Sequence, residues 1–187
     1  MNDQLHHILL DGEEIRWSGR PAPFKLMDLP ARNSLIFTWI ISGCILGLTL
    51  GLFIASFVYT PFEPLDFSLL LLALLFLPLM IALRPILDRR CLIHDTIYAI
   101  TNCRVIAMIK GDIMYLPLTQ KLKTATASCY DGFGNLCFGE AVHVSARKEL
   151  SAAVIGVRTI GDIANPNVPG IVFYHIRHPE TLLRYLA

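Results

Sequence analysis

Two long apolar stretches dominate the first half of the chain. The first covers residues 34–59 without a charge, and the second covers about 67–87 with Arg84 as its one charge. About 20 apolar residues are enough for a helix to cross a bilayer, so each stretch is predicted to be a transmembrane helix. The short connection over 60–66 contains two prolines. The pattern therefore predicts an antiparallel helical hairpin in the membrane.

Basic residues occur at the two outer ends of the hairpin, which lie on the same side of the membrane, and not in the connection between the helices. They precede the first helix and follow the second, and the connection between the helices contains none. Because cytoplasmic flanks carry the excess of Lys and Arg in membrane proteins, both termini are predicted to be cytoplasmic in a multi-pass protein of the inner (plasma) membrane. Four basic residues precede the first helix, Arg84 lies near the end of the second, and two more follow it: Arg16, Arg20, Lys25 and Arg32 before, and Arg89 and Arg90 after.

Three glycines recur every fourth residue in the first helix, at Gly43, Gly47 and Gly51. Small residues at this spacing let two helix backbones approach closely in lipid. The stripe predicts a helix-packing surface with two alternative partners. One is the second helix of the same chain, and the other is the first helix of another copy.

From residue 96 onward, short β-rich runs alternate with turn residues. The runs 96–101 and 104–109 flank Asn102, which predicts a tight hairpin. Further strands are predicted from alternating or β-branched runs, and residues 150–167 are predicted to form one strand plus a loop. The additional predicted strands cover 113–118, 122–130, 135–138, 141–146 and 171–176.

The two ends of the chain also have local signals. Ile15 and Trp17 alternate with polar residues, which suits a short strand or an extended segment. Pro179 opens a C-terminal helix over 179–187, because proline is favoured in the first helical turn. Its apolar residues Leu182, Leu183 and Leu186 are predicted to pack on the sheet.

The predicted fold is thus a membrane α-helical hairpin plus a mostly-β domain. The domain is an antiparallel barrel or sandwich of six or seven strands, capped by the C-terminal helix. Residues 1–32 are predicted to form an N-terminal cytoplasmic segment, 33–88 the hairpin, and 89–187 the cytoplasmic domain.

Composition limits the partners and the chemistry. The net charge of +1 over 187 residues gives no basic footprint for nucleic acid. The five cysteines include no C-x-x-C pair, and the predicted cytoplasm keeps thiols reduced. The chain shows no catalytic, cofactor or metal signature. We therefore expect no enzyme activity, no cofactor and no nucleic-acid partner.

Two local patterns have alternative interpretations. His175 and His178 have the spacing of half a metal site but no cysteine partner, so a metal site is not favoured. Cys129 and Cys137 are symmetric about Phe133 and could face each other in a hairpin. Buried thiols that pack as small hydrophobes are favoured there over a disulfide or a metal half-site.

Four ordered motifs resemble those of bacterial pleckstrin-homology-like (PH-like) domains in small membrane proteins of unknown function. They are GEEIRWSGRP (12–21), YAITNCRVI (98–106), GFGNLCF (132–138) and the closing segment 172–186. The resemblance implies a PH-like cytoplasmic domain. Eukaryotic relatives bind phosphoinositide headgroups through basic clusters, and the nearest candidates here are Arg104, Lys121 and Lys123. A solvated strand face is favoured for the lysine pair.

The favoured hypothesis is a membrane-tethered interaction module that binds a protein partner, or assembles with its own copies, at the cytoplasmic face. The alternative is an accessory subunit of a larger membrane complex. A lipid-binding or lipid-acting protein is the third hypothesis. It predicts a pocket lined by titratable groups, with His94, Asp95, Glu140 and His143 as candidates. The expected partners are therefore the lipid bilayer and a protein.

Overall fold

A computed structural model of the chain describes residues 7–28, 32–59, 64–119, 121–128, 130–158 and 165–186. Within these ranges, the side chains of 28, 34, 56–59, 64–71, 73, 128, 130 and 147 lie outside the description. The chain divides into two compact units. One combines Met1–Leu29 with Asp88–Ala187, and the other is Pro30–Leu87.

The structure has two long helices, α1 (Arg32–Tyr59) and α2 (Pro64–Asp95). α1 has nearly the predicted bounds, and α2 begins close to its predicted start. α2 continues past its predicted end at residue 87, and its residues from Asp88 onward belong to the first unit. In the described residues, one stretch, Leu35–Ala55 of α1, is long and apolar enough to cross a membrane, with a mean hydropathy of 2.1. Residues 60–63 of the predicted connection lie outside the described part of the chain.

The two helices contact each other in antiparallel order. Trp39 Nε1 donates a hydrogen bond to the carbonyl oxygen of Ala82 at 3.1 Å, and Ser42 Oγ donates to the carbonyl oxygen of Pro78. Ser42 lies after Trp39 on α1, whereas Pro78 lies before Ala82 on α2, so the two helices run in opposite directions. Proline at position 78 has no N–H, so the helix ladder lacks one internal bond there.

Seven strands in the described residues form two antiparallel sheets. The first has the order β1-β2-β3-β4 and the second the order β5-β6-β7. The predicted hairpin around Asn102 is confirmed as the β2–β3 pair. The strands are β1 (Ile15–Gly19), β2 (Thr96–Thr101), β3 (Arg104–Ile109), β4 (Asp112–Pro117), β5 (Thr124–Ser128), β6 (Phe133–Gly139) and β7 (Gly170–Arg177).

The main core lies between the two sheets and is built on aromatic rings. Tyr98 of β2 stacks on Phe173 of β7 with ring centroids 4.4 Å apart, and Phe138 of β6 meets the same ring edge-on at 4.9 Å. All three side chains are buried. The Tyr98 hydroxyl accepts a hydrogen bond from the Tyr174 amide at 3.1 Å, so its polar atom has a partner in the core.

A helix occupies the predicted C-terminal position, but it is a 3₁₀ helix over Pro179–Tyr185. A 3₁₀ helix has three residues per turn, so Pro179, Leu182 and Tyr185 share one face. That face packs on the core, whereas Leu183 is exposed. The prediction that Leu183 packs on the sheet is wrong, because it assumed the period of an α-helix.

Two predicted strands are also wrong. Residues 141–146 contain a 3₁₀ helix over Glu140–His143, and the predicted strand after residue 150 is part of α3 (Ala146–Ile155). Leu150 and Ala153 are buried against the outer face of the second sheet, at the helical spacing of three residues. Gly156, with φ of 71°, ends the helix. Residues 159–164 lie outside the described residues.

β1 pairs with a strand that lies far away in the sequence. β1 precedes both long helices in sequence, and β2 follows them, yet Ser18 pairs with Ala99 and Gly19 with Tyr98. Trp17 of β1 stacks on Phe173 at 5.9 Å. The sequence left open whether residues 1–32 join the domain or lie on the membrane, and in the structure their strand completes the first sheet.

Candidate functional site

A buried ion pair attaches the N-terminal segment to the β2–β3 hairpin. Arg104 donates through Nε to Glu13 Oε1 at 2.9 Å and through Nη2 to Glu13 Oε2 at 2.8 Å. The same carboxylate accepts the Leu10 amide at 2.9 Å and the Thr101 hydroxyl at 2.7 Å. Burial by itself would raise the pKa of Glu13, but the bonds from Arg104, Leu10 and Thr101 outweigh it and lower the pKa to about 2.

These contacts give Arg104 a structural role instead of the predicted headgroup contact. Its side chain is buried, its Nη2 also donates to the Ile8 carbonyl at 2.8 Å, and its guanidinium lies 5.0 Å from the centroid of the Tyr115 ring. Lys121 and Lys123 are exposed in the segment between β4 and β5. Of the three candidate headgroup contacts, Lys121 and Lys123 are thus the two that are exposed.

An open cleft of about 610 Å³ lies on the outer face of the first sheet. Its floor includes Ile97, Met108 and Ile113, which are directly paired across β2, β3 and β4. Successive strand residues point to opposite faces, and the residues next to this row belong to the core between the sheets. The row therefore points outward, where it forms a separate apolar cluster with Ile8.

Charged and titratable side chains surround the floor. Arg20 follows β1, His94 and Asp95 end α2, and Lys110 lies in the β3–β4 turn; all four line the cleft and are exposed. Of the residues expected to line a pocket, His94 and Asp95 do so. Glu140 and His143 belong instead to the 3₁₀ helix after β6 and do not line this cleft.

Lys110 has an unusual backbone conformation for its residue type. Its φ is 52°, and Gly111 after it has φ of 92°. Two positive φ values in a two-residue hairpin loop are typical of a type I′ turn, in which Asn-Gly is the favoured sequence. A lysine in this left-handed region costs about 1 kcal/mol, so the turn keeps a cationic side chain at an energetic cost.

His175 is held between aromatic rings on the second sheet. Phe133 stacks on it at 4.9 Å and Phe24 lies 5.3 Å away, while His175 itself has φ of 49°. Its Nδ1 atom is buried without a hydrogen-bond partner in the described residues, and burial lowers the pKa of the imidazole. His178 is exposed near Glu180, at 3.5 Å. Among the described residues, no group of three or more His, Cys, Asp or Glu side chains is placed to hold a metal ion.

The glycine stripe lies on an exposed face of α1. A Cβ atom at Gly43, Gly47 or Gly51 would meet no described atom within 4 Å. Ser42 and Trp39 make the contacts with α2 instead. Of the two predicted partners for the stripe, the second helix of the same chain does not contact it in the described residues.

Cys137 is a buried thiol on the outer face of the second sheet. It packs against the cluster that α3 covers, and burial raises its pKa to about 12. A thiol in this state is protonated and unreactive at neutral pH. Cys129, the other member of the predicted pair, lies outside the described residues.

Sequence analysis missed the cleft because its floor lies on a second apolar face. Every residue of β2 and β3 is buried. The run Thr96–Thr101 places Ile97 and Ala99 on one face and Tyr98 and Ile100 on the other, and this two-sided apolar pattern was the available signal. For Arg20, the one signal in the sequence is its place as a basic flank of the predicted hairpin.

No protein-family model, curated protein or solved structure matches this chain.

Proposed function

We propose that the chain is a membrane-tethered PH-like interaction module that binds a protein partner, or its own copies, at the cytoplasmic face of a bacterial inner membrane. The observation that carries the proposal is the pairing of β1 with β2, since α1 and α2 lie between them in sequence. Paired strands of one soluble sheet are on the same side of a membrane. A chain that enters the bilayer between these strands must therefore cross it an even number of times.

The composition of both helices supports two crossings. α1 contains the apolar stretch Leu35–Ala55, and we assign the return crossing to α2. Large apolar side chains of α2 are exposed in the unit that holds them, including Leu72 at 65%, Phe76 at 57% and Leu77 at 66%. A continuous surface of this kind is unfavourable in water and favourable in lipid. Basic residues before α1 and at Arg89 and Arg90 support a cytoplasmic domain.

The sheet arrangement supports the PH-like part of the proposal. Four antiparallel strands face three, and a C-terminal helix packs between them. Two antiparallel sheets closed by a helix are what the resemblance to PH-like domains leads us to expect, and this agreement supports the proposal. In this chain the membrane hairpin takes the place of the loop between the first two strands.

A free strand edge and an open helix face supply the binding surfaces. β5 pairs with β6 on one side, and the described residues give its other side no backbone partner. Thr126, at the centre of β5, is exposed. An extended segment of a partner adds to such an edge as a further strand. In the membrane, the open face at Gly47 allows α1 of a second copy to approach closely.

Photo-cross-linking in native membranes tests both surfaces. A photoreactive residue replaces Thr126 in one variant and Gly47 in another. The matched controls carry it at Lys148, which is exposed on α3, and at Leu48, which is exposed on a different face of α1. We expect a recurrent adduct at position 126 that is absent at Lys148, or one at position 47 that is absent at Leu48.

Each outcome has a clear meaning. A foreign protein cross-linked at 126 identifies the partner, and adducts with the chain itself indicate a homo-oligomeric scaffold. An adduct that migrates in one large assembly of constant stoichiometry on native gels favours the accessory-subunit alternative. Monomeric protein in mild detergent, together with adducts to lipid alone, would contradict the interaction module.

A further inference from the structure

A β-bulge brings two neighbouring residues of β7 onto one ring of the N-terminal segment. Tyr174 and His175 lie opposite the single residue Asn135, where the register between β6 and β7 shifts. Successive residues of a regular strand point to opposite faces of the sheet. Here both side chains contact Phe24, with ring centroids 5.2 Å away for Tyr174 and 5.3 Å away for His175. The bulge thus turns His175 towards the segment that leads into α1.

The backbone of His175 binds the same segment. Its carbonyl oxygen accepts a hydrogen bond from the Ala22 amide at 2.9 Å, and its own amide donates to Asn135 Oδ1 at 2.9 Å. Asn135 Nδ2 donates to Glu149 Oε2 of α3 at 2.6 Å, which fixes the orientation of the asparagine. His175 has φ of 49°, a left-handed conformation that is unfavourable for residues other than glycine. Residues held in such conformations cluster at binding sites and switch regions.

Phe24 is the side chain through which the segment packs on the second sheet. It is buried, and its carbonyl oxygen accepts a hydrogen bond from Arg89 Nε at 2.6 Å. The Arg89 guanidinium also lies 5.9 Å from the centroid of the Phe24 ring. Residue 24 precedes α1, and residue 89 lies near the end of α2. The chain that leads into the first long helix therefore contacts the end of the second at Phe24, beside His175.

The environment of the His175 ring favours the neutral imidazole. Its Nδ1 atom is buried and has no hydrogen-bond partner in the described residues. In a neutral ring this atom can remain an unpaired acceptor, whereas protonation would bury an N–H donor and a positive charge without an acceptor. Burial accordingly lowers the pKa of His175 from the ordinary value of 6.5.

In the described part of the chain, the charged groups on the surrounding elements give a protonated imidazole no counter-charge. Arg89 of α2 and Arg177 of β7 are cations that lie over the two flanking phenylalanine rings. Glu149 of α3 is bonded to the asparagine of β6. Glu180, in the C-terminal 3₁₀ helix, lies 3.5 Å from His178. Movement of the flanking phenylalanine of the N-terminal segment would instead give water access to the ring.

We propose that His175 is a pH-sensitive switch, which holds residues 22–24 on the second sheet while its ring is neutral and releases them when the ring is protonated. Docking of the segment is fully favoured above the ordinary pKa of 6.5 and weakens as the pH falls from there through the lowered pKa. Release leaves the pairing of β1 with β2 in place, so acidification frees only the chain between β1 and α1. The switch is independent of the partner proposed above.

Amide hydrogen exchange of the full chain in dodecyl maltoside micelles, followed by NMR, tests the switch. The Ala22 amide is protected while the segment is docked, because it then donates to the His175 carbonyl. The Asn102 amide is the matched reference, since it also donates to a distant backbone carbonyl, that of Glu14, at 3.1 Å. After correction for intrinsic exchange, protection of Ala22 should fall by at least about threefold between about pH 7.5 and 5.5, with Asn102 unchanged.

Two histidine variants identify the titrating group. His175→Asn should make the protection of Ala22 independent of pH, because asparagine is neutral and tolerates the left-handed conformation. His178→Asn is the matched control, since His178 is also left-handed, with φ of 48°, but is exposed. The control should retain the full pH dependence.

The linkage between docking and protonation also predicts the reverse effect. Phe24→Ala should raise the pKa of His175 towards 6.5, measured from the carbon chemical shifts of the imidazole, because coupling between two equilibria is reciprocal. Met27→Ala, at an exposed residue of the same segment, should leave that pKa unchanged.

Three results would overturn the proposal. The first is equal loss of protection at Ala22 and Asn102 on acidification, which would indicate unfolding of the whole domain. The second is pH dependence that persists in His175→Asn or disappears in His178→Asn. The third is an unchanged His175 pKa in Phe24→Ala, and this result decides the question if His175→Asn does not fold.

Discussion

Replacing the Glu13 carboxylate with an amide should destabilise the β domain more than any neighbouring change. Glu13→Gln keeps the shape of the side chain but leaves the Arg104 guanidinium buried without a counter-charge. Removing one partner of a buried ion pair typically costs about 3–5 kcal/mol. Because the pair joins the N-terminal segment to β3, its loss should destabilise both the segment and the strand.

The pKa of Glu13 gives an independent magnitude. It falls from an ordinary value of 4.5 to about 2, and each factor of ten in proton affinity is worth about 1.4 kcal/mol, so the ionised carboxylate contributes about 3 kcal/mol. A carboxyl group whose pKa is lower in the folded state stabilises the fold above the unfolded-state pKa. This contribution is present at neutral pH and is lost as the pH falls from about 4.5 towards 2.

Urea unfolding of the full chain in detergent micelles measures this effect. A Trp39→Phe background leaves Trp17 as the reporter, and Trp17 stacks on Phe173 in the core. The control is Glu14→Gln, because Glu14 is the adjacent carboxylate and is exposed. The expected loss is about 3 kcal/mol or more for Glu13→Gln and under about 0.5 kcal/mol for Glu14→Gln.

Two results would refute this reasoning. The first is equal stability of the Glu13 and Glu14 variants at neutral pH. The second is an acid dependence between pH 4.5 and 2 that persists unchanged in Glu13→Gln, since that variant lacks the titrating group. If Glu13→Gln does not fold, hydrogen exchange of β2 and β3 in the unchanged chain as the pH is lowered gives the same test.

Three further predictions concern other parts of the chain. Gly139→Ala should lower the free energy of unfolding by more than about 2 kcal/mol in the same urea assay, because Gly139 has a positive φ and an added Cβ would overlap a backbone carbonyl of a neighbouring loop. Gly111 also has a positive φ but faces open space, so Gly111→Ala should cost about 1 kcal/mol, and equal costs would contradict the close approach at Gly139. Burial lowers the pKa of His175, so the free energy of unfolding should decrease as the pH falls from the ordinary histidine range through that lowered pKa. His175→Asn should remove this pH dependence of stability, and a variant that retains it would exclude His175 as the cause. Cysteines at Ser42 and Pro78, in a chain without its native cysteines, should form an intrachain disulfide on oxidation in membranes, and failure to cross-link would contradict the antiparallel contact of α1 and α2.

Local patterns were sufficient to predict the elements whose signals lie within a few residues. The β2–β3 hairpin was predicted because two apolar runs flank Asn102, and α1 because residues 34–59 are uncharged. α3 was missed because its apolar residues occur among β-branched residues and near Gly156, and these signals favoured a strand. The 3₁₀ period of the C-terminal helix depends on its packing, so sequence alone did not predict that Leu183 is exposed.

The site depends on contacts between distant parts of the chain, which explains why sequence analysis did not predict it. Glu13 and Arg104 are 91 positions apart, so Arg104 was interpreted as a surface cation. Pairing of β1 with β2 across the helices brings Arg20 to the same cleft as Lys110. No periodicity within one segment carries this information.

Cysteine labelling in intact cells tests most directly the central claim that a membrane hairpin is inserted between two paired strands of one cytoplasmic domain. A membrane-impermeant maleimide is applied to three single-cysteine chains, with the cysteine at Arg16, at Phe62, or at the native exposed Cys103. Phe62→Cys should be labelled in intact cells, whereas positions 16 and 103 should be labelled only after the membrane is permeabilised. Protection of position 62, or labelling of 16 and 103 from opposite sides, would contradict it.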